Sequence, residues 1–275
     1  MRDWVKNTLV LVPALVAGRV ADPALLPSMT FAFLAFGFAA SSAYVLNDIL
    51  DRSTDRQDPT KRHRPFATGA VSVETGLIFE SLLLSLAIAA ALLAPSGRLL
   101  GVLAIYVILS TAYSACIKHI VFADIAVLTA LYTLRVIGGA VVCSIPVSPW
   151  LVACSMSGFA SLASLKRYAE LQLLAQGTAT HVPGRPYHIG HRHRLQWLGV
   201  LAAVVCVLTL IGSRGGNWLL WARGASGACL AYWMARSWIL ACRGRLGSDP
   251  LTFAVRDPDS YAVGAVVAAA LMGRG

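Results

Sequence analysis

The chain is poor in charge. Only 13% of its 275 residues are Asp, Glu, Lys or Arg, and acids (13) are scarcer than bases (23). A soluble domain has about a quarter of its residues charged, so a water-soluble globular fold is excluded. Nucleotide-binding signatures are missing as well: no G-x-G-x-x-G follows a strand-like run, and there is no P-loop. No Ser/His/Asp or Cys/His grouping suggests a protein nucleophile. The six cysteines (116, 143, 154, 206, 229, 242) lie scattered in apolar stretches without metal-like spacing. They read as small packing residues and report nothing about disulfides.

Apolar residues fill the chain instead. They make up 57% of it, and the mean hydropathy is +0.67. The expectation is an all-α, polytopic membrane protein in one domain, 1–275. Nine spans are expected near 5–20, 28–50, 72–94, 99–117, 122–143, 149–175, 194–212, 217–241 and 259–272. The first and last are short. Breaks fall at Asp22-Pro23, Pro27, Pro95-Ser96-Gly97, Pro146, Pro149, Pro183-Gly184, Gly215-Gly216 and Asp249-Pro250. The first apolar stretch has no clear small-residue cleavage site, so no secretory signal is expected.

Charge orients these spans. With the N-terminus inside, the inner face collects Arg2, Lys6, five bases from Arg52 to Arg64, Lys118, Lys166, Arg167, Arg185, Arg192, Arg194, Arg243, Arg245 and Arg256. The outer face receives only Arg19, Arg98, Arg214 and Arg274. That bias predicts a multi-pass protein of the cell (inner or plasma) membrane, its chemistry facing the cytoplasm. The net charge of +10 is then met by anionic membrane lipid, with no call for nucleic acid.

The densest charge follows the second span, in NDILDRSTDRQDPTKRHRPFATG (47–69). Asn47, Asp51 and Asp55 recur every four residues, so a continuing helix puts them on one face with Asp48 beside them. Oxygen ligands without His or Cys suit a hard cation, Mg²⁺ with Mn²⁺ as the alternative. Mg²⁺ usually shares its shell with a phosphate, and Lys61, Arg62 and Arg64 follow to hold further phosphate charge.

Other motifs fall at the same membrane face. Trp4-Val5-Lys6-Asn7 reads either as an interfacial anchor or as a pair, Lys6 and Asn7, reaching phosphate. Tyr44, one turn before Asn47, either points toward the same cavity or packs beneath it, with core packing favoured. Tyr113 and Lys118 end the fourth span, where Lys118 either binds phosphate or caps the helix. Asp124 and Arg135 lie eleven residues apart on roughly one face of the fifth span. Arg135 should sit inside the bilayer facing an anionic ligand or an ion-pair partner. Gly138-Gly139 beyond it would admit a close neighbour. Lys166, Arg167, Tyr168 and Glu170 end the sixth span. The loop 177–194 carries His181, Arg185, Tyr187, His188, His191, Arg192, His193 and Arg194; it lacks acidic or Cys ligands, so phosphate steering is favoured over zinc. The polar stretch DPLTFAVRD (249–257) is placed to close a cavity.

Asn47-Asp48-x-x-Asp51-x-x-x-Asp55, followed by Arg64-Pro65 and Gly69, resembles the first aspartate-rich motif of the UbiA-type intramembrane prenyltransferase superfamily. The likeness runs along essentially the whole chain. It implies helices bundled around a central cavity open to the cytoplasmic side, where a group leaves a Mg²⁺-bound diphosphate for an acceptor. The superfamily usually carries a second motif, D-x-x-x-D, where this chain has Lys166-Arg167-Tyr168-Ala169-Glu170. That departure, with W-x-K-N and D-P-x-x-F-A, is most similar to the decaprenyl-phosphate phosphoribosyltransferase branch. The resemblance implies transfer of 5-phosphoribosyl from phosphoribosyl diphosphate to a polyprenyl phosphate. Asn47, Asp48, Asp51 and Asp55 would hold the metal, and Asp48, Asp51, Asp55, Lys118 and Arg135 would serve catalysis. Lys6, Asn7, Lys61, Arg64, Tyr113, Lys166, Arg167, Tyr168 and Glu170 would bind substrate phosphate and sugar. Two alternatives stand: an aromatic prenyltransferase with a prenyl diphosphate donor and a 4-hydroxybenzoate-type acceptor, and a cation-coupled transporter. Against the transporter, no inverted repeat is evident and the charges gather at one face.

Overall fold

A computed structural model describes residues 2–58, 61–175, 185–213, 220–247, 250–254 and 256–272. These are helical almost throughout, with no strand among them. The chain begins as a 3₁₀ helix, Arg2–Leu11, that runs into α1, Val12–Val16.

α2, Leu26–Asp55, is longer than a membrane's hydrocarbon core of roughly 30 Å. Its thirty residues extend about 45 Å, so its last turns stand beyond the apolar slab. Those turns carry Asn47 to Asp55. Next come the short α3, Pro65–Thr68, then α4, Val73–Leu93, and α5, Arg98–Ala115. α6 is Ala123–Val142, α7 Pro149–Leu174, α8 Arg192–Gly212 and α9 Leu220–Cys242. α10, Pro250–Ala254, and α11, Pro258–Met272, complete the described chain. Serine caps start two of the long helices: Ser72 accepts from Thr75 N–H and Ser148 from Trp150 N–H.

Small residues bring the helices together. α2 buries Ala32, Ala35, Ala39 and Ala40, and α4 buries Ala87, Ala90 and Ala91. At Gly139 of α6 a Cβ would fall 1.9 Å from the carbonyl oxygen of Val10, so only glycine lets the N-terminal segment lie so close. The close neighbour expected at Gly138-Gly139 is thus that segment, with the Phe36 ring at Gly138.

Five stretches among the described residues are long and apolar enough to cross a membrane: Pro23–Asp55, Val73–Leu93, Arg98–Ala115, Ala123–Val142 and Ile189–Gly212. The chain is an integral membrane protein. Helices stand at the other four expected spans, but α7 carries Lys166, Arg167 and Glu170, α9 carries Arg223 and Arg236, and the first and last are short. Three apolar clusters form among the described residues, the smallest around Ala203, Cys206 and Met234; the other two are larger. One joins the N-terminal segment, α2, α4, α5 and α6. The other gathers Ile125, Leu165, Tyr168, Leu171, Tyr187, Leu195 and Trp238 beneath the charged end.

Candidate active site

The projecting end of α2 presents its polar face as the spacing predicts. Asn47 donates from Nδ2 to Asp51 Oδ2 at 3.1 Å, one turn on. Arg64 then returns to the same helix: its Nη1 lies 2.8 Å from Asp48 Oδ1 and 3.0 Å from Asp55 Oδ2. The return is built locally. Arg56 Nε donates to the Ala67 carbonyl at 2.8 Å, α3 has a proline in its first turn, and Gly69 ends it at φ +78°. That left-handed turn explains the glycine of the motif.

The third contribution comes from far along the chain. Lys118, in the 3₁₀ turn Ile117–His119, is buried and donates from Nζ to Asn47 Oδ1 at 3.1 Å and to Asp51 Oδ1. Asp48, Asp51 and Asp55 therefore meet two cations, which leaves the group with a formal charge of −1 at neutral pH. Lys61 lies at its margin, 3.4 Å from Asp58.

The donor set suits a hard divalent ion: three carboxylates and an amide oxygen, with no sulfur or imidazole. Asp48 and Asp51 also keep about a quarter to a third of their side-chain surface exposed, which leaves room for water or phosphate in the shell. Among the described residues no three His, Cys, Asp or Glu side chains close on a point by themselves. The carboxylates turn instead to Lys118 and Arg64. Asn47, Asp48, Asp51 and Asp55 fit an ion that phosphate oxygens help to hold.

A second charged group lies beside the first and is far drier. Arg167, on α7, donates from Nε to Asp124 Oδ2 at 2.7 Å, from Nη1 to Glu170 Oε2 at 2.7 Å and from Nη2 to the Tyr113 hydroxyl at 3.4 Å. Tyr187 donates to the other oxygen of Asp124 and accepts from the Phe122 N–H at 2.9 Å. Burial, then the hydrogen bond to Asp124, pushes the Tyr187 phenol above its ordinary pKa. Arg185 lies 5.5 Å above the Tyr113 ring and 3.4 Å from the Lys118 carbonyl.

Several expected roles change with this geometry. Arg167 was expected at substrate phosphate, yet it is buried with carboxylates on two of its nitrogens. Glu170 is engaged by Arg167. Tyr168 packs in the core against Trp238, ring centroids 5.6 Å apart. Asp124 and Arg135 do not meet, since eleven residues of helix separate them by about 16 Å. Among the described residues Arg135 has no carboxylate partner. It donates to Asn7 Oδ1 at 3.0 Å, the Tyr106 hydroxyl at 2.7 Å and the Leu131 carbonyl at 2.9 Å, and its guanidinium stacks over Tyr106. Neutral oxygens and a ring thus surround the cation expected to face an anion, and it is walled in.

Asn7 is wholly buried by this contact, and its Nδ2 has no partner among the described residues. Lys6, one residue earlier, donates to the Tyr44 hydroxyl at 3.3 Å. Tyr44 itself is 43% exposed, a correction to the core position expected of it. Trp4 inserts its indole against Gly37, between Phe33 and Phe38, and bonds Ser41 at 3.2 Å. His188 and His191 cap the 3₁₀ turn Ile189–His191, so their spacing serves backbone geometry. His181 and Asp249 lie outside the described residues. Asp257 forms a two-pronged pair with Arg236, both contacts 2.8 Å, tying α11 to α9. Tyr106, Tyr187 and Arg185 received no individual role from the sequence. Only a phenol or a cation in an apolar or loop segment marked them.

Comparison with known proteins identifies the family. A family model described as the UbiA prenyltransferase family matches residues 8–254. The chain is 36% identical to the nodulation protein NoeC of Azorhizobium caulinodans, over 94% of this chain and 85% of that one. It is 32% identical to the decaprenyl-phosphate phosphoribosyltransferase of Mycobacterium tuberculosis, over 93% and 85%. Among solved structures, a UbiA homolog from Archaeoglobus fulgidus bound to GPP and Mg²⁺ superposes with a TM-score of 0.71. It covers 99% of this chain and 96% of its own at 16% identity, a likeness of fold.

Proposed function

Because the chain belongs to the UbiA prenyltransferase family, and is a transferase of that family, we propose that it moves 5-phosphoribosyl from phosphoribosyl diphosphate to a polyprenyl phosphate. The observation that carries this reading is the group Asn47, Asp48, Asp51, Asp55, Arg64 and Lys118. It offers oxygen donors for a metal and cations for phosphate at one end of a helix that outruns the bilayer. The relatives named as phosphoribosyltransferases support the choice of donor and acceptor.

The positive-inside bias supports a cytoplasmic site, open to a water-soluble sugar diphosphate and to a lipid headgroup at the membrane surface. Asn47, Asp48, Asp51 and Asp55 would hold Mg²⁺, which offsets diphosphate charge and improves it as a leaving group. Lys118 and Arg64 contact these carboxylates and turn to phosphate oxygens as the diphosphate enters. Lys61 and Lys6 lie at the margin for the remaining charge. The bond from the ribose anomeric carbon to diphosphate breaks with its electron pair on the diphosphate. A lipid phosphate oxygen supplies the pair for the new bond. The phosphate reacts as an anion, so the step needs neither a protein nucleophile nor a base. Lys118 and Arg64 stabilise the charge that develops on the leaving oxygen.

The test is mass spectrometry of purified protein with Mg²⁺, polyprenyl phosphate and phosphoribosyl diphosphate, beside a reaction with polyprenyl diphosphate and 4-hydroxybenzoate. Lipid-linked phosphoribose in the first reaction is the expected result. Product only in the second overturns the proposal in favour of aromatic prenylation. Product in neither, from folded protein, removes both.

A further inference from the structure

Lys118 sits in a turn that must hold its backbone against strain. The turn ends at Phe122, whose φ of +65° puts a bulky L-residue in the left-handed region. Such conformations persist only where surrounding contacts over-determine them. Here the contacts come from a segment 65 residues further on. Tyr187 accepts the Phe122 N–H at 2.9 Å, and Arg185 reaches the Lys118 carbonyl at 3.4 Å. Residues 185–187 thus grip the turn 118–122 near both ends. The grip is anchored from below: Tyr187 is fully buried, its hydroxyl donates to Asp124, and Asp124 is held by Arg167. The Tyr187 ring also stands edge-on to Phe122, centroids 6.2 Å apart.

We infer that Arg185 and Tyr187 form a clamp that positions Lys118 for the substrate diphosphate, so this segment is a positioning element of the site. The inference rests on Lys118 meeting phosphate, as proposed above. Without the Tyr187 hydroxyl, the Phe122 amide loses its acceptor and the turn relaxes toward ordinary backbone angles. Lys118 then no longer rests against Asn47 and Asp51.

The clamp is tested by a double-mutant cycle read as binding, which leaves open which group is transferred. Isothermal titration of magnesium pyrophosphate compares wild type, Tyr187→Phe, Lys118→Ala and the double variant. Tyr187→Phe keeps the ring and should weaken binding about tenfold, the worth of one buried hydrogen bond. In the Lys118→Ala background the same change should cost less than about twofold, because the group it positions is gone. Arg185→Ala should repeat the pattern at about threefold, consistent with its longer contact, and serves if Tyr187→Phe folds poorly. Equal losses in both backgrounds overturn the clamp and leave the site intact. No loss on Lys118→Ala alone overturns the assignment of Lys118 to phosphate, and the clamp with it.

Discussion

Two charged groups at one end of this helical bundle use the same residue types and differ in water. In the group on α2, Asp48, Asp51 and Arg64 keep 31%, 24% and 37% of their side chains exposed, around a dry Asp55 and Lys118 at 4% and 3%. In the group on α7, Arg167 and Asp124 keep 4% and 0%. A half-wet ion pair is worth little, because solvent competes for both partners and exchange costs little. A dry pair cannot exchange, because either charge left alone would face desolvation without compensation. On the function proposed above, the exposed Asp48, Asp51 and Arg64 trade partners with a metal and phosphates, whereas the second group is scaffold. Charge density alone does not mark a site. Charge that can change partners does.

The largest expected effect breaks the wet group. Asp51→Asn should lower turnover by at least about a thousandfold, while the melting temperature in detergent stays within a few degrees. Near-normal turnover would remove Asp51 from the metal site. Lys118→Ala should lower kcat by about a hundredfold with a much smaller change in KM, as for a group that acts mainly on developing charge. A rise in KM alone would make Lys118 a binding residue only.

The dry group should answer in the opposite currency. Arg167→Ala leaves Asp124 buried and unpaired and should destabilise the fold by about 3–5 kcal/mol. Thermal denaturation checks this, and an unchanged melting temperature would end the distinction between the two groups. Arg135→Met, in the dry core near Asn7, should cost about 2–3 kcal/mol, since Asn7 and Tyr106 lose a charged donor. Its kcat should remain within about threefold of wild type, because Arg135 is placed as an anchor for the N-terminal segment.

The smallest effect concerns the junction of α9 and α11. The Arg236 guanidinium holds the Asp257 carboxyl below its ordinary pKa. A depressed carboxylate contributes stability that is present above its unfolded value of about 4 and lost as pH falls through the folded one. Protection of the α11 amides, relative to their intrinsic exchange at each pH, should therefore fall below about pH 4 in wild type, and Asp257→Asn should show low protection already at neutral pH. Equal rates in the two proteins at pH 7 would show that the pair does not hold α11.

Much of this was legible in the chain. Apolar runs and proline breaks located the helices, because a bilayer demands long unbroken segments. The spacing of Asn47, Asp51 and Asp55 put them on one face, because i, i+4 neighbours share a face in any helix. The partner of Arg167 was illegible. Asp124 lies 43 residues away and Glu170 one turn away, and nothing local says that α6 brings Asp124 to α7. Arg135 misled for the same reason: an arginine in an apolar span promises an anion, but Asn7 and Tyr106, 128 and 29 residues distant, surround it with neutral oxygens.

The sequence by itself determined that the chain lives in a membrane, where its helices run and which helix end carries the acidic face. Those properties follow from hydropathy and from the 3.6-residue period, and both act within one segment. Only the tertiary structure decided which charges are wet and which are dry. It also laid Lys118 against Asp51 across 67 positions. Those outcomes depend on which helices become neighbours, and the dielectric around a charge is set by neighbours from anywhere in the chain.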